Sequence, residues 1–188
     1  MNRRNLLKGL AAAPLALALA RHGVAAPRSG GKIDVEALQN NWKDLLAENA
    51  DVTLSKEPLE LTEAEWKMRL TPKQFDVLRE EGTEPPGSSP LNDEKRPGVF
   101  ACAGCGLPLF TSEMKYDSGT GWPSFFTTIP GAFETKRDWK LILPRTEYHC
   151  VRCGGHHGHV FDDGPPPTGK RWCNNGVALR FVPKAGKG

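Results

Sequence analysis

The sequence predicts a mainly β (α+β) domain with helices on its N-terminal side, and three observations support this fold class. The 188 residues include 20 Gly and 16 Pro, a content that favours loops over a helical bundle. Helical periodicity and capping signals occur before residue 82. After that point, segments that resemble short strands run into two Cys-x-x-Cys turns.

Residues 1–25 resemble a twin-arginine signal peptide. A pair of arginines precedes an apolar run of about a dozen residues, Gly9 to Ala20, and a small-residue segment ends at Ala25. The run is shorter than the roughly 20 apolar residues that span a membrane. We therefore expect export to the periplasm or another extracytoplasmic compartment, with no stable membrane insertion after cleavage. An uncleaved membrane anchor is the alternative.

The charge of the remaining chain argues against a nucleic-acid partner. The formal net charge is +3, but the first 25 residues hold four of the 25 Lys and Arg residues and no acid. The rest of the chain therefore carries 21 basic and 22 acidic residues. A nucleic-acid-binding protein would show a basic excess, so we expect no such partner.

Residues 26–60 are predicted to form a linker and an amphipathic helix. The helix should extend from Asp34 to Glu48, because apolar residues recur there every three or four positions. These residues are Leu38, Trp42, Leu45 and Leu46. Packing against the domain that follows is favoured over a partner surface.

The domain itself is placed at residues 61–183 and should begin with two short helices. Thr62 and Glu65 form a capping box, and Thr71 followed by Pro72 opens the second helix. Gly82 is expected to end that helix. A turn-rich loop from Pro85 to Pro97 should follow.

Two predicted strands, Val99 to Ala101 and Thr146 to His149, each lead into a Cys-x-x-Cys turn. The four cysteines are Cys102, Cys105, Cys150 and Cys153. Two such turns can supply an all-thiolate, tetrahedral site for one structural Zn²⁺ that leaves no position for substrate. Two disulfides or a redox dithiol are the alternatives in an exported protein.

The fifth cysteine, Cys173, is the candidate nucleophile. Arg171 precedes it by two residues, and three histidines lie just upstream. A neighbouring cation and imidazoles lower the pKa of a thiol and so raise the thiolate fraction. A buried, inert Cys173 is the alternative.

The C-terminal segment could form a terminal strand with one buried face. Val177, Leu179 and Phe181 alternate with polar residues. Cys173 and Asn175 would project to the same side if the strand extends that far without a bulge.

The histidines upstream of Cys173 allow more than one interpretation. His157 lies in a Gly-rich segment and is expected to be solvated. His156 and His159 could complete a second metal site, although no carboxylate–histidine spacing requires one. Asp162 and Asp163 could form a turn or orient an imidazole.

Six motifs together resemble the B-type peptide-methionine (R)-S-oxide reductases. In chain order they are Leu61-Thr-Glu-Ala-Glu-Trp through Arg79-Glu-Glu-Gly-Thr-Glu-Pro-Pro, Cys102-x-x-Cys105, Gly119-Thr-Gly-Trp-Pro-Ser-Phe, Cys150-x-x-Cys153, His156-x-x-His159-Val-Phe-Asp-Asp-Gly-Pro and Arg171-Trp-Cys-Asn-Asn. The resemblance extends from Leu61 to Val182. It implies two antiparallel sheets packed as a small β domain, with N-terminal helices and a four-cysteine zinc site opposite the active site.

The resemblance also implies catalytic roles. Cys173 matches the nucleophile that attacks the sulfoxide sulfur, and His156 and His159 match the imidazoles that hydrogen-bond and protonate the oxygen. The products would be methionine and a sulfenic acid on Cys173. The implied substrates are oxidised proteins or peptides that contain methionine-R-sulfoxide, and the protein is expected to be a monomer.

Five further residues match the substrate pocket and its supports. Trp122 resembles the ring that receives the terminal methyl group of the substrate, and Phe161 would form another wall. Arg171, Asp163 and Asn175 match polar residues that set the geometry of the thiolate and the histidines.

The sequence departs from the family pattern at three places. Thr120 stands where the family commonly has a resolving cysteine, so we expect a thioredoxin-like protein or a small thiol to attack the sulfenic acid. His157 replaces the usual leucine. Asn174 and Gly176 replace an apolar residue and a serine around Asn175.

Two other function classes remain open from the residues alone. One is a zinc-ribbon-like binding module in which Cys173 is inert. The other is a general thiol–disulfide oxidoreductase that uses one Cys-x-x-Cys pair. The zinc content per chain distinguishes the second, because a redox pair cannot also hold the metal.

Overall fold

The structure is a computed structural model that describes residues 32–139 and 144–184. The predicted signal peptide, residues 1–25, lies outside the described residues. In the described part, no helix is long and apolar enough to cross a membrane.

From residue 32 onwards, three short α-helices precede the sheets: α1 Val35–Asn40, α2 Glu63–Arg69 and α3 Pro72–Glu80. The helix predicted from Asp34 to Glu48 is shorter than expected. Asp34 caps α1 by accepting the N–H of Ala37 at 3.0 Å, but Asn41 leaves the helical conformation. A 3-10 turn, Trp42–Leu45, then buries Leu45. Asparagine ends helices readily because its side chain competes for backbone hydrogen bonds.

Both predicted capping signals are confirmed. Thr62 and Glu65 form a complete capping box at α2, and Thr71 forms one at α3. The end of α3 differs from the prediction, because Glu81, rather than Gly82, takes the left-handed conformation with φ 56°. Glycine is needed at position 82 for a different reason, because a Cβ atom there would lie 2.1 Å from the Asp76 carboxylate.

Within the described residues, nine strands form two antiparallel sheets, which confirms the predicted fold class. They are β1 Gly98–Cys102, β2 Pro108–Thr111, β3 Lys115–Tyr116, β4 Ser124–Phe125, β5 Phe133–Asp138, β6 Arg145–Cys150, β7 His156–Phe161, β8 Arg171–Asn174 and β9 Leu179–Pro183. The smaller sheet has the order β2-β1-β9. The larger has the order β3-β4-β8-β7-β6-β5.

Aromatic rings from both sheets form the centre of the core. Phe110 of β2 stacks on Phe125 of β4 with a centroid distance of 3.9 Å, and Phe100 of β1 meets Phe125 edge-on at 5.1 Å. All three side chains are fully buried. Such contacts add to the free energy gained by burial alone, so they hold the sheets in a fixed relation.

The C-terminal strand does not extend back to Cys173, so the condition under which Cys173 and Leu179 would share a face is not met. Cys173 lies in β8 of the larger sheet, whereas Leu179 and Phe181 lie in β9 of the smaller one. A 3-10 turn, Gly176–Ala178, separates the two strands. The Glu84 carboxylate accepts the N–H groups of residues 176 and 177, which fixes the turn and redirects the chain.

The prediction that His157 is solvated is wrong. Its side chain is fully buried in β7, 5.5 Å from the Phe133 ring and 6.4 Å from the Tyr148 ring between centroids. Burial lowers the pKa of His157 to about 4, so the imidazole is neutral at pH 7. The Asn174 side chain is a polar neighbour that opposes this shift, but the rings of Phe133 and Tyr148 would suit an apolar side chain better.

We expect His157→Leu to raise the free energy of unfolding by about 1–3 kcal/mol near pH 7, because leucine needs no hydrogen bonds in an apolar site. The difference in unfolding free energy between the variant and the parent should increase as the pH falls from about 6.5 towards 4. In that window the unfolded chain protonates His157 and the folded chain does not, which destabilises the parent protein. Urea titrations at several pH values measure the difference. An equal or lower stability of the variant at pH 5 would contradict this account.

Candidate active site

The four paired cysteines converge in one buried cluster between the sheets. Cys102 and Cys105 lie at the turn between β1 and β2, and Cys150 and Cys153 lie at the turn between β6 and β7. The Sγ atoms of Cys102 and Cys153 are 3.7 Å apart, and those of Cys105 and Cys150 are 3.5 Å apart. All are free thiols.

These separations fit a metal site. Four sulfurs about 2.3 Å from one ion would lie roughly 3.8 Å from each other, whereas bonded sulfurs lie about 2.05 Å apart. The ligand atoms all lie within 4.8 Å of one another. The cluster is therefore suited to hold one thiophilic ion and is not a pair of disulfides.

The register of the larger sheet places Cys173 between two polar residues. Cys173 is opposite His159 of β7 and opposite Ser124 of β4. Residues directly opposite in antiparallel strands project to the same face, with Cβ atoms about 4.5–5.5 Å apart. The thiol and the imidazole of His159 are therefore neighbours, although 14 positions separate them in sequence.

A cavity of about 280 Å³ opens above this pair. Six of the predicted site residues line it: Trp122, His159, Phe161, Arg171, Cys173 and Asn175. Two others, His156 and Asp163, do not line it. The cavity thus combines a nucleophile and an imidazole with two aromatic walls.

Arg171 connects the pocket wall to the surface. Its guanidinium lies over the Phe161 ring, 4.3 Å from the centroid, and binds both carboxylate oxygens of Asp163, with distances of 2.8 and 2.7 Å. Asp163 is exposed and reaches the cavity only through this ion pair. A bidentate pair of this kind fixes the plane of the guanidinium.

The thiol pKa differs from the sequence prediction. Burial raises the pKa of Cys173 above its ordinary value, and this effect exceeds the opposing influence of the Arg171 charge. Side-chain hydrogen bonds with Thr120, Arg171 and Ser124 also oppose it. The resting side chain is therefore mainly a thiol at neutral pH.

The imidazole of His159 is held by residues that the sequence analysis missed. His159 Nε2 lies 2.8 Å from Asp138 Oδ2, and Arg145 Nη2 lies 2.6 Å from the same oxygen. Burial lowers the pKa of His159, while the Asp138 hydrogen bond opposes the shift. Asp138 and Arg145 face each other across β5 and β6, a relation that no sequence motif reveals.

Glu84 is a second residue that the sequence did not single out. Its backbone N–H donates to Asn175 Oδ1 at 3.0 Å, and its carbonyl accepts the Trp122 Nε1–H at 3.1 Å. Asn175 Nδ2 donates to the carbonyl of His157 at 3.0 Å. Asn175 therefore lines the cavity and also ties β7 to the loop after α3 through its side chain.

His156 is buried at the start of β7, between the imidazoles of His149 and His159. Its ring centroid lies 5.6 Å from that of His159 and 5.3 Å from that of His149. Burial lowers the pKa of His156 to about 3, so it is neutral at pH 7. The structure thus places His159 nearer the cavity than His156.

Comparisons with known proteins identify the relatives of this chain. The SelR domain family matches residues 70–183. A peptide methionine sulfoxide reductase MsrB of Methanosarcina barkeri is 50% identical over 129 residues, which cover 68% of this chain and 91% of the relative. One of Agrobacterium fabrum is 49% identical over 123 residues, covering 65% and 91%. The chloroplastic peptide methionine sulfoxide reductase B1 of Arabidopsis thaliana is 50% identical over 122 residues, covering 64% and 60%.

We expect Arg171→Met to slow alkylation of Cys173 by iodoacetamide at pH 8 by about tenfold, because loss of an adjacent positive charge raises the thiol pKa by about one unit or more. The rate is measured against pH by mass spectrometry, with Cys173→Ser as the background. Asp163→Asn keeps the guanidinium and should not slow the reaction. Equal rates in Arg171→Met and the parent would show that the charge does not act on the thiol.

Proposed function

Because the chain belongs to the SelR domain family of peptide methionine sulfoxide reductases, we propose that it reduces methionine-R-sulfoxide in oxidised proteins or peptides to methionine. The observation that carries the proposal is the pairing of Cys173 with His159 in a cavity walled by Trp122 and Phe161. The preference for the R epimer is proposed from the resemblance of the sequence motifs to the B-type family.

The cavity suits a side chain that is apolar at its end and polar at one oxygen. The indole of Trp122 is fixed by its hydrogen bond to the Glu84 carbonyl, and the Phe161 ring is covered by the Arg171 guanidinium. Two rings held in this way can receive the methyl group of the substrate. The oxygen would then point towards the polar side of the cavity, at His159.

The first chemical step needs one proton, and the protein holds it on the Cys173 thiol. A sulfoxide accepts a nucleophile at sulfur only when its oxygen gains a proton. We infer that the neutral imidazole of His159 takes the thiol proton and passes it to that oxygen, while the Cys173 sulfur attacks. The attack forms a bond between the Cys173 sulfur and the substrate sulfur. The hydroxyl group then moves from the substrate sulfur to the Cys173 sulfur while the S–S bond breaks, which releases methionine and leaves a sulfenic acid.

Asp138 would keep His159 in the required orientation. If the Nε2–H donates to the Asp138 carboxylate at 2.8 Å, Nδ1 carries the lone pair that accepts the thiol proton. The carboxylate also stabilises the imidazolium that forms for a moment. His156 matches a second family imidazole, and we propose that it supports His159 from within the protein.

The sulfenic acid is proposed to be reduced by an external thiol. Of the five cysteines, four belong to the buried cluster, and Thr120 occupies the usual place of a resolving cysteine. A first thiol would form a mixed disulfide with Cys173 and release water, and a second would release the reduced Cys173. A thioredoxin-like protein or a small thiol would serve as donor.

Zn²⁺ is the proposed occupant of the four-cysteine cluster. Four thiolates and the sulfur separations favour this ion over harder cations. When bound, it supplies folding free energy and takes no part in the reaction. Export by the twin-arginine route is also proposed, since that route carries folded proteins and would allow the metal to be acquired first.

We expect the full chain to reduce a peptide carrying the R epimer of methionine sulfoxide with dithiothreitol as donor, and to leave the S epimer unchanged. Cys173→Ser should lose activity by at least about a thousandfold, because Cys173 is the sulfur nucleophile among the residues that line the cavity and a serine hydroxyl is a much weaker one. Chromatography of the reduced peptide measures both. A folded, metal-loaded protein without turnover would instead favour the zinc-ribbon-like binding module.

A single turnover without reductant should leave a sulfenic acid on Cys173 that reacts with dimedone. Thr120→Cys provides a contrasting variant, because the side chain at 120 contacts the Cys173 thiol. That variant should instead form a disulfide between positions 120 and 173, detected by peptide mapping. A disulfide between Cys173 and Cys102 in the parent would contradict the external-donor proposal.

A further inference from the structure

Three side chains on β6 and β7 form a polar cluster beside the active site: Glu147, His149 and His156. One carboxylate oxygen and two imidazole nitrogens lie within 4.8 Å of one another. Glu147 is 3% exposed and His156 is 1% exposed, so these groups are removed from water. Buried polar groups are normally hydrogen-bonded or bound to an ion.

Each of the two Glu147 carboxylate oxygens lies beside one imidazole nitrogen, which suits a carboxylate that binds one ion through either or both oxygens. Glu147 Oε2 lies 3.4 Å from His156 Nδ1, and Oε1 lies 3.5 Å from His149 Nε2. In a tetrahedral site with bonds of about 2.0–2.2 Å, neighbouring ligand atoms lie roughly 3.3–3.6 Å apart. Hydrogen bonds would bring the same atoms to about 2.7–3.2 Å.

The nitrogens are available as ligands. Among the described residues, neither ring nitrogen of His156 has a hydrogen-bond partner, and the same holds for His149 Nε2. His149 Nδ1 lies 3.2 Å from the Gly154 carbonyl. Donating its N–H to that carbonyl leaves Nε2 with the free lone pair, the arrangement commonly found for metal-bound histidine.

We propose that Glu147, His149 and His156 form a second metal site, separate from the four-cysteine cluster, that binds Zn²⁺ or a similar divalent transition-metal ion. Imidazole and carboxylate ligands suit such ions. Three protein ligands leave a fourth position for water. The ion would join β6 to β7 and would give His156 the partner that it lacks.

Two carboxylates in this region, Asp138 and Glu147, already have basic side chains as partners. Asp138, Glu147 and His159 also lie close together. Asp138 is already paired with Arg145 and bound to His159, so we propose no metal there. Lys136 Nζ lies 3.0 Å from Glu147 Oε1, and its side chain is 54% exposed. Its ammonium therefore competes with the metal and must move away on binding.

The test titrates Co²⁺ into the full chain that carries Cys173→Ser and one Zn²⁺ at the four cysteines. We expect one additional Co²⁺ per chain, with weak visible absorption, no intense thiolate-to-cobalt band, and a higher melting temperature. Glu147→Gln and His149→Ala should each weaken binding by at least about tenfold, the effect of losing even a supporting residue at a metal site. Both variants should retain the Zn²⁺ that the four cysteines hold.

Two further variants sharpen the result. Lys136→Met removes the competing ammonium and should tighten binding by up to about fivefold. His157→Leu removes a neighbouring buried histidine that is not a ligand, so it should bind Co²⁺ like the parent. The proposal is overturned if the parent binds no additional ion, if Glu147→Gln and His149→Ala bind as tightly as the parent, or if Lys136→Met binds more weakly.

Discussion

The four-cysteine cluster is the constraint on which the arrangement of this protein depends. It joins the turn after β1, in the smaller sheet, to the turn after β6, in the larger one. β7 begins three residues after Cys153 and carries the histidines of the site. An ion held by all four sulfurs would therefore fix both the packing of the sheets and the starting point of β7. The Phe100, Phe110 and Phe125 cluster maintains the same relation away from the turns.

The site is preorganised by strand register rather than by local motifs. β8 lies between β4 and β7, so the Cys173 side chain has one neighbour from each strand. The loop after α3 then closes the pocket, because Glu84 contacts Trp122, Asn175 and the turn after β8. Residues positioned by sheets and fixed by hydrogen bonds keep their geometry without substrate.

Burial affects the two central groups in opposite directions. It raises the pKa of the Cys173 thiol and lowers that of the His159 imidazole, since it disfavours the charged form of each. The resting pair is therefore uncharged. A neutral thiol is less open to accidental oxidation than a thiolate, and its proton is available for a sulfoxide oxygen. Arg171 limits the rise in the thiol pKa, so the proton can still be removed.

Features that depend on neighbours in the chain could be predicted from the residues: the two capping boxes, the paired Cys-x-x-Cys turns, the mainly β class and the odd cysteine close to Arg171. Which groups meet became known from the folded protein. The tertiary structure buried His157, separated Cys173 from the terminal strand by the turn at Gly176, placed Asp138 on His159 and gathered Glu147, His149 and His156. Burial and register arise from contacts between distant segments, so the spacing of residues along the chain does not specify them.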